Sequence, residues 1–109
     1  MLTEAPRITP EEANERLQRD DLVAVDVRLG SYDRSDVKAK DAVRIPIRDL
    51  ESALDQIPEG KDVVTYCTCP NENTSARAAA MLNDKGYNAA ALAGGFEAWE
   101  DAGYPTEPK

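Results

Sequence analysis

The chain has 109 residues, 41% of them hydrophobic and 31% charged, a balance that suits one folded domain and excludes wholesale disorder. No apolar run approaches the roughly eighteen residues of a membrane span. Lys and Arg number 13 against 21 Asp and Glu, a formal charge of −8, which disfavours non-specific contact with nucleic acid or anionic lipid.

Thr9-Pro10-Glu11-Glu12 is a capping box with proline at the first helical position, flanked by Ile8 and Ala13 as a hydrophobic staple. Ala13 and Leu17 share a face, so a helix is predicted to about Arg19, broken by Asp20-Asp21. Residues 22–27 are mostly apolar, as in a strand buried on both faces. Residues 29–41 are polar and irregular and read as a loop. Val43, Ile45 and Ile47 alternate, which predicts a second strand. Leu50, Ala53, Leu54 and Ile57 fall at i, i+3, i+4 and i+7, the spacing of an amphipathic α-helix, ended by Pro58-Glu59-Gly60.

Residues 62–66 form the next predicted strand, with Cys67 at its C-terminal edge. Residues 68–73 carry no periodic pattern. Helix resumes near Thr74 or Ser75, presents Ala78, Met81 and Leu82 inward, and stops at Gly86. Residues 89–92 read as a strand and Gly94-Gly95 as a turn. Phe96 and Trp99 form the face of a last short helix, which Gly103 closes before a polar tail. Strands alternating with helices predict an α/β fold, a parallel sheet covered on both faces. In such sheets the ligand site lies beyond the carboxyl ends of the strands, where Cys67 sits.

The chain has no histidine, which removes Ser-His-Asp and Cys-His catalysis. Its two cysteines, Cys67 and Cys69, are too few for a four-thiolate zinc site. No metal and no cofactor are expected. Residues 1–10 lack the pattern of a secretory signal, and the sparse cysteines fit a reducing, cytoplasmic setting.

The informative segment runs from Tyr66 to Arg77: a strand ends, a thiol follows, a polar loop curls, and a helix begins. N–H groups at a helix start have no partner within the helix. A loop of Thr68, Cys69, Pro70, Asn71, Glu72, Asn73, Thr74 and Ser75 wrapped round Cys67 would aim such amides at the sulfur. They would stabilise a thiolate and an anion beside it. A thiol pKa near 8.5 falls to roughly 3.5–7.5 in such settings, so no general base is needed. A cysteine beside a buried strand is more often a small inert hydrophobe. The strand–cysteine–loop–helix context favours the reactive reading. Cys69 reads either as an exposed loop thiol or as a resolving partner for Cys67.

These residues resemble the rhodanese-like family. The resemblance covers about residues 8–105 of a single domain spanning 1–109. It rests on Val25-Asp26-Val27-Arg28, Ile45-Pro46, Val63-Val64-Thr65-Tyr66-Cys67 leading into Ser75-Ala76-Arg77, Leu92-Ala93-Gly94-Gly95-Phe96-Glu97-Ala98-Trp99, and Ala102-Gly103-Tyr104-Pro105. It implies a three-layer α/β sandwich on a parallel sheet. It also implies a sulfurtransferase that carries sulfane sulfur as a persulfide on the cysteine after the central strand, here Cys67.

The family loop places Ser-Ala six residues after the cysteine; Ser75 lies eight after Cys67 and six after Cys69. By strand end the nucleophile is Cys67, the favoured reading; by loop count it is Cys69. Phosphatase-like relatives carry an arginine at Cys-x5-Arg. Counted from Cys67 that position is residue 73, an asparagine, so phosphatase activity is disfavoured, although Arg77 could reach an anion from the helix. Glu72 also opposes a dianionic donor such as thiosulfate. Asp26 and Arg28 read as loop ties and Phe96 and Trp99 as packing. Gly94 and Gly95 offer backbone freedom or a close approach to the cysteine loop.

The leading expectation is transfer of sulfur from thiosulfate or a persulfide to a thiol, cyanide or protein acceptor. The alternatives are a Cys67–Cys69 thiol–disulfide redox module and a non-catalytic rhodanese-like binding domain.

Overall fold

The computed structural model describes residues 6–29, 36–58, 60–68 and 73–108. Their order is β1 (Arg7–Ile8), α1 (Pro10–Gln18), β2 (Leu22–Asp26), β3 (Val37–Ala39) and β4 (Val43–Arg44). Two 3-10 turns follow (Ile47–Ser52 and Leu54–Gln56), then β5 (Asp62–Tyr66), α2 (Asn73–Asp84), β6 (Ala89–Leu92), α3 (Gly95–Asp101) and β7 (Thr106–Pro108).

Five strands form one parallel sheet in the order β1-β6-β5-β2-β4. The central strand β5 pairs along its whole length with β2, from Leu22 opposite Asp62 to Asp26 opposite Tyr66. Strand alternation sends successive side chains to opposite faces. Val25, Val27, Val63 and Cys67 pack with Leu50, Ile57, Ala78 and Leu82, beneath α2 and the 3-10 turns. Leu22, Ala24, Val64 and Tyr66 pack with Ala13, Phe96 and Trp99, beneath α1 and α3. The result is the expected α/β sandwich: a parallel sheet between two helical layers.

Local signals explain the helix ends. Thr9 Oγ1 accepts from the Glu12 N–H at 3.2 Å, with Pro10 at the first helical position. Ile8 and Ala13 enter the same core cluster, as the staple requires. Gly86, at φ +97°, ends α2. The Tyr87 N–H reaches back to the Leu82 carbonyl and the Gly86 N–H to that of Asn83, at 3.0 and 3.1 Å. These are the two bonds of a Schellman stop.

Three segments differ from the sequence expectation. Leu50, Ala53 and Ile57 are buried as predicted, but on two 3-10 turns rather than an α-helix. Ile47, Leu50 and Ala53 repeat every three residues, which a 3-10 turn stacks on one side. Ala53, at φ −119°, interrupts the path between the turns. The alternation from Val43 yields a strand of only Val43–Arg44. Part of the supposed loop 29–41 is β3, which pairs antiparallel with β7 from the supposed tail, Val37 opposite Pro108 and Ala39 opposite Thr106. Lys38 meets Glu107 at 2.9 Å, Glu107 also accepts from the Asp41 N–H at 2.8 Å, and Trp99 Nε1 donates to the Pro105 carbonyl at 2.8 Å. Lys38, more than the Asp41 amide, holds the Glu107 carboxyl below its usual range.

At the N-terminal edge of the sheet Arg16 bridges α1 to β5. Its guanidinium meets Asp62 at 2.6 Å and Asp21 at 3.0 Å. The Arg16 bond, with a smaller part from Asn88, holds the Asp62 carboxyl below its ordinary value of 3.8. A carboxyl depressed in the folded state stabilises above its unfolded value, and that contribution is lost as pH falls through the lower folded value. The Asp62 side chain is 36% exposed, so screening keeps the effect small. Asp62→Asn is expected to cost about 0.5–1 kcal/mol at neutral pH, a penalty that shrinks as pH falls below about 4. Urea unfolding of both proteins at neutral pH and near pH 3 measures it.

Candidate active site

The site is built at the carboxyl ends of β2 and β5, where the strand order reverses direction and an open parallel sheet leaves a crevice. Cys67 follows β5 directly and is 2% exposed. Its side chain projects to the α2 face, on the same side as Val63 and Thr65. The sulfur lies 3.5 Å from the hydroxyl oxygen of Ser75. Ser75 is fully buried in the first turn of α2. No acidic residue stands in that first turn, so the positive end of the helix dipole faces the sulfur unopposed by its own helix.

The backbone of Cys67 is fixed from another side. Its carbonyl accepts from the Phe96 N–H at 2.9 Å, which places an otherwise unpaired first-turn amide of α3 on the cysteine. This approach is why residue 95 is glycine. Gly95 has φ +65°, and a Cβ there would overlap the Cys67 carbonyl oxygen, a backbone atom with little room to yield. The sequence reading of a close approach to the cysteine segment describes this contact. Gly95→Ala is expected to cost about 2–3 kcal/mol, from the left-handed strain and the displaced carbonyl together. Urea unfolding reads the loss, and alkylation kinetics of Cys67 read the displacement.

Behind the strand ends lies a buried ion cluster on the opposite face of the sheet. Asp26 accepts from Arg28 Nε at 3.0 Å and Nη2 at 2.7 Å, from the Arg28 N–H at 3.0 Å, and from the Tyr66 hydroxyl at 3.0 Å. Both charged side chains are wholly buried. Arg28 also donates to the Val37 carbonyl at 3.0 Å, and its guanidinium lies 4.4 Å from the centre of the Phe96 ring, within cation–π range. The Ala39 N–H donates to the Tyr66 hydroxyl at 3.1 Å. Burial, then the Asp26 charge, pushes the Tyr66 phenol far above its ordinary value, so it stays a neutral donor. The cluster ties β2, β3, β5 and α3 together, which is the loop-tying role expected of Asp26 and Arg28.

Of the remaining sequence candidates, Thr68 and Asn73 are exposed and Thr74 is half-buried. Cys69, Pro70, Asn71 and Glu72 lie outside the described residues. Arg77 is exposed on α2. At 100° per residue it faces away from the stripe of Ser75, Ala78, Ala79 and Leu82 that packs on the sheet. The structure therefore brings Cys67 and Ser75 together and does not bring Arg77 to them. Thr65, which no sequence signal marked as functional, donates its hydroxyl to the Ser75 carbonyl at 2.6 Å. A polar residue in an otherwise apolar buried strand was the available sign. A cleft of about 590 Å³ opens at the other end of the sheet, between Lys61, Asp62, Lys85 and Asn88, remote from the cysteine.

The model of the Rhodanese-like domain matches residues 9–102. The chain belongs to the rhodanese-like family. A sulfurtransferase of Allochromatium vinosum is 31% identical over 100 residues, covering 90% of this chain and 91% of that protein. The thiosulfate sulfurtransferase GlpE of Actinobacillus succinogenes is 33% identical over 104 residues, covering 92% and 88%. The crystal structure of a rhodanese-related protein from Thermoplasma volcanium superposes with a TM-score of 0.81 at 23% identity, covering 95% of this chain and 99% of that one. The rhodanese-like fold is thus shared across the whole sandwich. The relatives assign the domain to the general sulfurtransferase class.

Proposed function

We propose that this rhodanese-like domain transfers sulfane sulfur through a persulfide on Cys67. The observation that carries the reading is the placement of Cys67 at the end of the central strand, with its sulfur against the Ser75 hydroxyl at the start of α2. In the resting thiol the S–H donates to Ser75 Oγ; in the thiolate the Ser75 O–H donates to sulfur. The hydroxyl serves both states by rotating, because it is donor and acceptor. The dipole of α2, whose first turn carries Ser75, adds to the stabilisation of negative sulfur.

With thiosulfate as donor, the Cys67 thiolate attacks the outer sulfur. The S–S bond to the sulfonate breaks, sulfite leaves with the bonding pair, and Cys67 keeps a persulfide. An acceptor thiolate or cyanide then attacks the terminal sulfur, takes it, and restores the thiolate. This is covalent catalysis in two displacements with no net redox change. A persulfide donor follows the same course with a thiolate as the leaving group.

Mass spectrometry of the intact protein after incubation with thiosulfate or polysulfide tests the proposal. The expected result is one added sulfur, mapped to Cys67 by peptide analysis and removed by cyanide. A folded protein that no donor modifies at Cys67 would count against it. Sulfur found on Cys69 instead would move the nucleophile to the position favoured by loop count. An intramolecular Cys67–Cys69 disulfide in mildly oxidising buffer, with no added sulfur, would point to the redox reading.

A further inference from the structure

The structure assigns Thr65 as a positioning residue for the Cys67 sulfur, acting through Ser75. The inference rests on the reading of Cys67 as the reactive thiol and names what holds its hydrogen-bond partner in place.

Thr65 in β5 and Cys67 just beyond its end are two apart in extended chain and therefore project to one face, about 6.6 Å apart along the chain. Ser75 answers both. Its carbonyl accepts from the Thr65 hydroxyl at 2.6 Å, and its hydroxyl meets the Cys67 sulfur at 3.5 Å. One helical residue is thus held at two points on one strand, which fixes both the height and the rotation of the α2 start against β5. A Ser75 carbonyl inside the helix already serves the helical ladder with one lone pair, and its second is open to Thr65.

Thr65 and Ser75 are both fully buried, and the strand around them is apolar, with Val63 and Val64 preceding. Packing alone would be met there by valine, which has the same shape as threonine. The hydroxyl is an added, desolvated group that costs stability unless bonded. Its bond goes to the residue that touches the sulfur. Without it, the start of α2 loses its tie to Thr65, and the Ser75 hydroxyl loses registry with the thiolate.

The test uses the full chain carrying Cys69→Ser, so that Cys67 is the sole cysteine and alkylation reports on it alone. The pH midpoint of the alkylation rate is measured for this protein and for its Thr65→Val and Thr65→Ser variants. Thr65→Val is expected to raise the midpoint by roughly half to one pH unit, because a hydrogen bond to the charged form is weakened. Thr65→Ser, which keeps the hydroxyl, is expected to return it to the starting value. A purely structural role would alter unfolding without moving this profile. An unchanged midpoint in folded Thr65→Val overturns the proposal, as does a shift of the same size in Thr65→Ser. Should Thr65→Val not fold, Thr65→Ala is read against Thr65→Ser by the same criterion. The readout needs no sulfur donor, so failure of persulfide formation and failure of this inference are separate results.

Discussion

Asp26→Ala is expected to lower the unfolding free energy by about 3–5 kcal/mol, the cost of leaving a buried partner charge uncompensated. Asp26 is fully buried, as is Arg28. Alanine would remove the carboxylate that accepts both from the guanidinium and from Tyr66. The Val37 carbonyl and the Phe96 ring would remain near Arg28, but neither carries a charge to balance it. The Tyr66 hydroxyl would lose its acceptor as well, and a buried donor without a partner adds its own penalty. A domain of this size has a total stability of roughly 5–15 kcal/mol, so the variant sits near the unfolding threshold. Urea denaturation measures the change, with a lowered midpoint at an unchanged slope. The pair removed together, Asp26→Leu with Arg28→Met, is expected to cost less than Asp26→Ala alone, since two apolar groups need no neutralising partner. A double substitution as damaging as the sum of the single ones would show that the charges act independently.

Cys67→Ser is expected to reduce sulfur transfer to background, a loss of at least about 10³-fold, as when a covalent nucleophile is removed. Serine keeps nearly the same shape beside Ser75, so the fold should persist and circular dichroism should be unchanged. The chemistry fails for two reasons. An alcohol is scarcely ionised at neutral pH, and oxygen cannot hold sulfane sulfur in an exchangeable S–S bond. Cys69→Ser is expected to retain transfer within about tenfold, a change of about 1.4 kcal/mol in the barrier. Rates with thiosulfate and a thiol acceptor separate the two cysteines, and the reverse pattern would make Cys69 the nucleophile.

Much of this architecture was legible because it rests on local signals. The runs ending at Asp26 and Tyr66 are apolar on both faces, and the sheet pairs them in one register. The Thr9 cap and the Gly86 stop mark their helix ends directly. Cys67 and Ser75 were legible as a strand end followed by a helix start, and the contact between them follows from that order. Strand β1 is only two residues long and gains its identity by lying beside β6. Strands β3 and β7 are made by partners nearly seventy residues apart, with no alternation in either to announce them. The 3-10 turns were not legible because Leu50, Ala53, Leu54 and Ile57 fit an α-helical face, while the three-residue steps 47–50–53 and 54–57 fit two short turns equally well. Thr65 carries no signal of its own in the sequence, because a threonine in a strand has good β propensity, and only the position of the Ser75 carbonyl gives its hydroxyl a task.

The bond from the Phe96 amide to the Cys67 carbonyl also bears on the order in which the molecule is assembled. A nascent chain synthesised only as far as Leu92 already contains the cysteine, the Ser75 helix and every strand of the parallel sheet. It lacks the amide that fixes the Cys67 peptide and the glycine that lets it approach. The cysteine's backbone setting is completed only once the Gly94-Gly95-Phe96 segment has left the ribosome and docked.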